Sequence, residues 1–177
     1  ANWAARTRPQ PAQWQVRIQV RAPAAPRREP GRPHSAVYQR YLPQIKHSGL
    51  FDLLDLCRRA QRAGYDDVLL KDVNGRISEG STWNLGALRG DTMFWPEAPK
   101  LEGTTMQLLS RAWAQAGGQV VAQVLDNAEL ARMQLVFCCN VAGVWPVVSI
   151  DETALALDTQ MLERLRADLA AAPASVP

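Results

Sequence analysis

Lysine is scarce in this chain, and one of its three lysines lies where an amine could do chemistry. The sequence holds 17 arginines but only Lys46, Lys71 and Lys100. Lys71 borders an aspartate at a turn and Lys100 follows Pro-Glu-Ala-Pro, so both are expected to be solvated. Lys46 lies between an extended segment and an apolar helix, and an amine in a confined, apolar position can attack an aldehyde carbon. The plainer alternative, a surface lysine beside the start of a helix, stays open.

A carboxylate and a helix start follow at positions that suit a flat, phosphorylated ligand. Glu79 precedes glycine and small polar residues, so its carboxylate could approach a ring and keep a ring nitrogen protonated. Electron-sink chemistry of the pyridoxal phosphate type requires that protonation. Gly103, Thr104 and Thr105 open a helix, where free backbone N–H groups and a hydroxyl form a seat for phosphate. An ordinary N-cap would explain the threonines as well.

The hydrophobic pattern places these residues on a mixed set of helices and strands. Spacings of three and four residues predict helices over 50–60, 104–116, 127–133 and 158–172, and Gly64 is expected to end the first. Alternating or continuous apolar runs predict strands over 15–21, 68–70, 77–79, 83–88, 92–95, 119–124, 134–139 and 144–150. The Asn74-Gly75 pair predicts a hairpin. This order of elements predicts an α/β or mixed α+β domain.

Composition excludes several classes of protein and divides the chain by charge. No apolar run approaches the 18 residues of a transmembrane helix, and residues 1–20 lack the apolar core of a signal peptide, so we expect neither. The three cysteines are odd in number and have no metal-site spacing, which argues against a disulfide framework or zinc site, so we expect a reducing, cytoplasmic location. We expect the vicinal Cys138 and Cys139 to be strand core. Residues 1–40 carry a net charge of +7 and half of the 12 prolines, and the other 137 residues carry −4. We interpret 22–34 as an exposed linker, because proline recurs there.

Taken in order, these motifs resemble the class IV pyridoxal-phosphate aminotransferases, a superfamily that includes branched-chain and D-amino-acid aminotransferases and aminodeoxychorismate lyase. The resemblance runs over roughly residues 40–150. It rests on Lys46, the helix after it, the run from Gly64 to Leu70, the Ser78-Glu79-Gly80 motif with Asn84, and the Leu-Glu-Gly-Thr-Thr run that starts at Leu101. The resemblance implies the fold type IV large domain, pyridoxal 5'-phosphate as cofactor, and a homodimer acting on a small amino donor and a keto-acid acceptor.

The resemblance also implies roles for single residues. Lys46 is the expected catalytic residue, which forms a Schiff base with the cofactor and then moves the proton between the substrate Cα and the cofactor. Glu79 is expected to bind the pyridine nitrogen, and Thr104 and Thr105 the phosphate.

Further residues take a place in the expected site by the same resemblance. Asn84, in the glutamate motif, belongs to the cofactor-binding set. Asn140 falls where the family usually has a small hydroxyl-bearing phosphate ligand, and its amide could donate instead. The backbone of Val141 and Ala142 is expected to face the substrate carboxylate. No metal is expected.

The chain also departs from the family pattern in ways that put the substrate in doubt. Gly86 stands where an aromatic residue is common, Met106 where a basic one is, and Phe51 where some members place a tyrosine that binds the phenolate oxygen of the cofactor. We expect a transaminase acting on an amino acid or related amine. A lyase that carries out β-elimination is the alternative, and so is a remnant of the family that no longer turns over substrate.

The organisation implied by the resemblance is a fragment of a longer enzyme. Residues 1–41 are interpreted as the end of a small N-terminal domain, with its strand at 15–21, and a linker. Residues 42–172 form the cofactor-binding large domain and 173–177 a tail. The basic entry would alternatively be an arm that binds nucleic acid, but residues 1–37 hold only two aromatic residues and no recognised nucleic-acid fold follows. We therefore expect no nucleic-acid partner and no membrane partner.

Overall fold

A computed structural model describes residues 18–20, 22, 25–27 and 29–172 of the chain. These residues form ten strands and four helices, which confirms the predicted mixed α/β class. The helices are α1 (Phe51–Arg62), α2 (Thr104–Gln115), α3 (Asn127–Leu130) and α4 (Thr159–Ala171). The strands are β1 (Pro33–Val37), β2 (Asp67–Lys71), β3 (Ile77–Gly80), β4 (Asn84–Arg89), β5 (Thr92–Pro96), β6 (Gln119–Gln123), β7 (Leu135–Asn140), β8 (Gly143–Pro146), β9 (Ser149–Ile150) and β10 (Thr153–Ala154).

The strands form two main sheets and a short ribbon. A five-stranded sheet has the order β6-β5-β4-β7-β8, and a three-stranded sheet has the order β1-β2-β3. β9 and β10 pair as the ribbon. Helices α2 and α4 cover one face of the large sheet, where Leu109 and Trp113 meet Leu162 and Leu165 in one buried cluster. Helix α1 packs on the small sheet through Leu53 and Ala60.

Local signals set the boundaries of several elements. Gly64 has a φ of +90° just beyond α1, a conformation that only glycine adopts at little cost, so the helix ends there. Gly75 has a φ of +82° in the turn between β2 and β3, as the Asn-Gly hairpin signal predicted.

The N-terminal part of the described chain differs from the prediction. Residues 18–20, part of the predicted strand 15–21, belong to no strand and are exposed, and 15–17 and 21 lie outside the described residues. The predicted linker over 22–34 is wrong at its end, where Gly31 and Pro33 are buried and β1 pairs in parallel with β2. Proline is tolerated there because Pro33 begins an edge strand. The domain boundary at residue 41 stays a prediction.

The predicted strand over 144–150 divides into two. β8 pairs with β7 as far as Pro146, whereas Val148 donates its N–H to the carbonyl of Gly31 and β9 pairs with β10. The chain therefore changes partners between Pro146 and Ser149, and this change joins the two sheets.

No helix in the described ranges is long and apolar enough to cross a membrane.

Candidate active site

Glu79 is the centre of the candidate site, because three separate segments meet at its carboxylate. The residue lies on β3 and is only 5% exposed. Its Oε1 accepts a hydrogen bond from Arg40 Nε at 2.7 Å, and its Oε2 accepts one from the backbone N–H of Leu101 at 3.1 Å. A buried carboxylate is costly unless it is paired, and here a cation and an N–H group share that task.

Arg40 is the site residue that the sequence analysis missed. Its side chain is 7% exposed, and besides Glu79 it contacts the carbonyl oxygens of Pro43 and of Ile45, the latter at 3.4 Å. Arg40 therefore ties the backbone just before Lys46 to the carboxylate. The sequence offers one weak signal, a lone cation in the short, partly apolar stretch 38–45, but Arg40 is also one of the eight arginines that make residues 1–40 basic.

Asn84 holds the loop that leads to α2. It is 6% exposed, and its Nδ2 donates to the carbonyl of Leu101 at 2.7 Å. The two peptide groups of Leu101 are thus fixed from both sides, by Glu79 at the N–H and by Asn84 at the oxygen. A Cβ on Gly103 would lie 2.2 Å from Asn84 Oδ1, so this close approach requires glycine.

The start of α2 offers uncapped backbone donors. Its N-cap is Gly103, which provides no side-chain hydrogen bond, and no acidic residue lies in the first turn. Thr105 is buried beside the turn and Thr104 is exposed. Free N–H groups and the positive end of the helix dipole favour an anion at this position.

Lys46 is exposed, which agrees with the plainer alternative of a surface lysine and not with an apolar, confined position. Its amine has no hydrogen bond or ion pair with the part of the chain that the structure describes. Several apolar side chains near it in sequence are themselves exposed, at 77% for Tyr41, 48% for Ile45 and 83% for Phe51. The described residues therefore place Lys46 beside the Arg40 contact but do not enclose it.

The other two lysines are less solvated than we expected. The Lys100 side chain is 9% exposed, with its Nζ 3.1 Å from Glu102 Oε1. Lys71 Nζ donates to Ser35 Oγ at 2.8 Å. Both amines therefore have a polar partner among the described residues, whereas the Lys46 amine has none there.

Asn140 joins the β7–β8 turn to the loop after Glu79. Its Nδ2 donates to the carbonyl of Thr82 at 3.1 Å, and its Oδ1 accepts from the N–H of Ala142 at 2.8 Å. Val141 is 99% exposed. Asn140 thus brings the predicted substrate turn next to the glutamate motif, while much of its hydrogen-bonding capacity serves that link.

The buried cysteines belong to the core. Cys138 and Cys139 are at most 1% exposed on β7, which confirms the strand-core interpretation, and burial raises the pKa of both thiols. No group of three or more His, Cys, Asp or Glu side chains suited to a metal occurs among the described residues.

The chain belongs to the class IV aminotransferase family, since the family model for amino-transferase class IV matches residues 3–150 of the 177. The branched-chain-amino-acid aminotransferase of Escherichia coli (strain K12) is 34% identical over 95 residues, which cover 52% of this chain and 31% of that protein.

Solved structures agree with the fold. A branched-chain amino acid aminotransferase from T.th., complexed with 4-methylvaleric acid, superposes with a TM-score of 0.73 at 25% identity, over 81% of this chain and 52% of that one. A putative 4-amino-4-deoxychorismate lyase from Legionella pneumophila gives a TM-score of 0.74 at 22% identity, over 80% of this chain and 56% of that one, a likeness of fold alone. The chain thus spans about half the length of these solved proteins and 31% of its curated relative.

Proposed function

We propose that this chain holds pyridoxal 5'-phosphate on Lys46 and serves in the transamination of an amino acid with a keto acid. The observation that carries the proposal is the buried Glu79 carboxylate, fixed between Arg40 and the Leu101 N–H and linked through that loop to the uncapped start of α2. Membership of the class IV family supports it, and class IV aminotransferases depend on this cofactor.

The residues present suit both charged parts of the cofactor, the ring nitrogen and the phosphate. The ring nitrogen needs a carboxylate that stays in place, and Glu79 is buried and held at both oxygens. The phosphate needs donors without a competing acid, and α2 begins with Gly103 and no acidic residue in its first turn. Thr104 and Thr105 stand in that turn, where their N–H and hydroxyl groups would bind phosphate oxygens.

Each residue would then have one task. When bound, the cofactor withdraws electrons from the substrate Cα and so makes its proton removable. Lys46 would hold the aldehyde carbon through its amine and afterwards take up and return the Cα proton at Nζ. Glu79 would keep the ring nitrogen protonated. Asn84 would orient the Leu101 loop, and Asn140 would hold the turn of Val141 and Ala142 toward the substrate carboxylate.

The substrate class is an amino acid, with a keto acid as acceptor. The curated relatives are branched-chain-amino-acid aminotransferases, which favours transamination over elimination. The substitutions at Phe51, Gly86 and Met106 distinguish this chain from the pattern we described for the family. We propose that the active form is a homodimer, because the described residues leave Lys46 uncovered.

Reduction with borohydride tests this proposal directly. The purified chain is mixed with pyridoxal 5'-phosphate, reduced, digested and mapped by mass spectrometry. We expect the cofactor on Lys46, and Lys46→Ala should lose the visible absorbance of the adduct, whereas the matched variants Lys71→Ala and Lys100→Ala should keep it. A label on Lys71 or Lys100, with Lys46 unmodified, would contradict the assignment.

Conversion of substrate tests the reaction type separately. Addition of an amino acid to the loaded chain should shift the cofactor to its amine form and release the matching keto acid. Release of a keto acid while the cofactor stays in its aldehyde form would instead indicate elimination.

A further inference from the structure

Arg40 is the one buried side chain that, among the described residues, contacts both the carboxylate of Glu79 and the backbone that leads to Lys46. Its Nε donates to Glu79 Oε1 at 2.7 Å, and its two terminal nitrogens contact the carbonyl oxygens of Pro43 and Ile45. The side chains of Arg40 and Glu79 are each 7% exposed. One planar group therefore joins two segments that lie far apart in sequence.

The segment between Arg40 and Lys46 makes few packing contacts apart from those of Arg40. Tyr41, Leu42 and Ile45 are 77%, 40% and 48% exposed, so they contribute little packing. Among the described residues its other hydrogen bonds are local, from the Ile45 N–H to the Leu42 carbonyl at 2.9 Å and between His47 Nε2 and the Tyr41 carbonyl at 3.0 Å. The guanidinium of Arg40 is accordingly the long-range anchor of this segment.

The cofactor of the proposed function requires the segment before Lys46 and the Glu79 carboxylate to be held in fixed relative positions. The aldehyde carbon and the ring nitrogen of pyridoxal phosphate lie across one rigid ring. An amine and a carboxylate that act on both must therefore be held at a fixed separation. A guanidinium has five donors in a rigid plane, so it can fix a carboxylate and two carbonyl oxygens at once, which a lysine ammonium on a flexible stem cannot do.

We propose that Arg40 is a positioning residue, which fixes the backbone from Pro43 to Lys46 relative to Glu79 so that both groups can engage one cofactor. This inference rests on the proposed function. The simpler role for Arg40 is to neutralise a buried carboxylate, and the two roles differ in the effect of Arg40→Lys. That variant keeps the positive charge beside Glu79 but loses the shared plane of contacts.

The first test needs no cofactor and uses an endoproteinase that cleaves only after lysine. In Arg40→Gln we expect cleavage after Lys46 to be about tenfold faster, because two carbonyl contacts are lost. Cleavage after Lys71 and Lys100 should keep its wild-type rate and serves as the internal reference. If Arg40→Gln does not fold, the double variant Arg40→Gln/Glu79→Gln, which leaves no unpaired buried charge, is used instead.

The second test measures attachment of the cofactor to Lys46 against total cofactor bound. In Arg40→Lys, total binding of pyridoxal 5'-phosphate should stay within about twofold of wild type, while borohydride-trapped adduct on Lys46 should form about tenfold more slowly. The control is Arg32→Gln, which removes an exposed pair with Asp66 and should change neither quantity.

The outcomes of the two tests distinguish a failure of the Arg40 positioning role from a failure of the proposed function. Unchanged cleavage after Lys46 in Arg40→Gln, or attachment at the wild-type rate in Arg40→Lys, would overturn the positioning role while the proposed function stands. Failure of the wild-type chain to attach cofactor at Lys46 would overturn both.

Discussion

Gly80 and Trp83 offer the sharpest test of how the fold holds the glutamate motif. A Cβ added to Gly80 would lie 2.0, 2.2 and 2.3 Å from three ring atoms of Trp83, which is itself 5% exposed. Three such contacts cannot be relieved by a small tilt, so Gly80→Ala must displace the ring. The Trp83 Nε1–H, which donates to Asp67 Oδ2 at 2.8 Å, would be pulled away with it.

The cost follows from these two losses. Overpacking a dense core costs about 1–3 kcal/mol, and a lost hydrogen bond to a charged group about 1.5–3 kcal/mol. We therefore expect Gly80→Ala to lower the free energy of unfolding by about 3–5 kcal/mol. Trp83→Ala should cost a similar amount, about 3–5 kcal/mol, because it removes a large buried ring.

The double variant decides whether this reasoning is right. Once Trp83→Ala has emptied the space, Gly80→Ala has nothing to displace, and alanine is about 0.5–1 kcal/mol better than glycine within a strand. The double variant should thus be no less stable than Trp83→Ala alone, which gives a coupling of at least about 3–5 kcal/mol.

Guanidinium unfolding of the cofactor-free chain, followed by circular dichroism, measures all of these changes. The matched control is Gly31→Ala, whose Cβ would lie 3.4 Å from Trp145 Nε1, an ordinary contact that should cost less than about 1 kcal/mol. The reasoning is refuted if Gly80→Ala stays within about 1 kcal/mol of wild type, or if the costs of Gly80→Ala and Trp83→Ala add in the double variant.

Two further predictions concern titrating groups. Burial raises the pKa of Asp151, but hydrogen bonds from the Ser35 hydroxyl and N–H, together with His34, outweigh it, so the pKa lies below its usual value. Its contribution to stability is therefore present above the unfolded pKa and is lost as the pH falls through the folded one. Acid unfolding should show the stability gap between wild type and Asp151→Asn shrink from pH 7 to pH 3, and a gap that grows would contradict this. Burial, and then the Asp67 carboxylate, raises the pKa of Cys57 to about 11. A thiolate of higher pKa is the better nucleophile, but at pH 8 much less of it is ionised, and the loss of thiolate is the larger effect. A colorimetric disulfide reagent at pH 8 should therefore react with native Cys57 at least about tenfold more slowly than with the unfolded chain. An equal rate would refute the burial argument.

Much of the fold could be predicted because its signals are local. The spacing of apolar residues located all four helices of the described chain, and Asn74-Gly75 located the β2–β3 turn. Strand β1 could not be found in this way. It is short, begins at Pro33 within a proline-rich stretch, and is stabilised by pairing with β2, which lies more than 25 residues further along the chain.

For the candidate site, too, some features could be predicted from the sequence and others could not. Its residue types could be picked out from motif order, which singled out Lys46, Glu79 and the Thr104-Thr105 helix start. Their surroundings could not, since the exposure of Lys46 depends on which parts of the chain cover it. Arg40 could not be identified either, because a partly apolar stretch around an arginine does not by itself distinguish a buried arginine from an exposed one.

The sequence by itself indicated which chemistry this chain could carry, through an amine, a carboxylate and a helix start with two threonines in a fixed order. Only the tertiary structure decided how these groups are held. The bonds that do so join residues 39, 22 and 58 positions apart, from Arg40 to Glu79, from Leu101 to Glu79 and from Asn140 to Thr82. Local propensity acts over a few residues, whereas contacts of this length exist only after the sheets have formed, so no pattern in the neighbouring sequence records them.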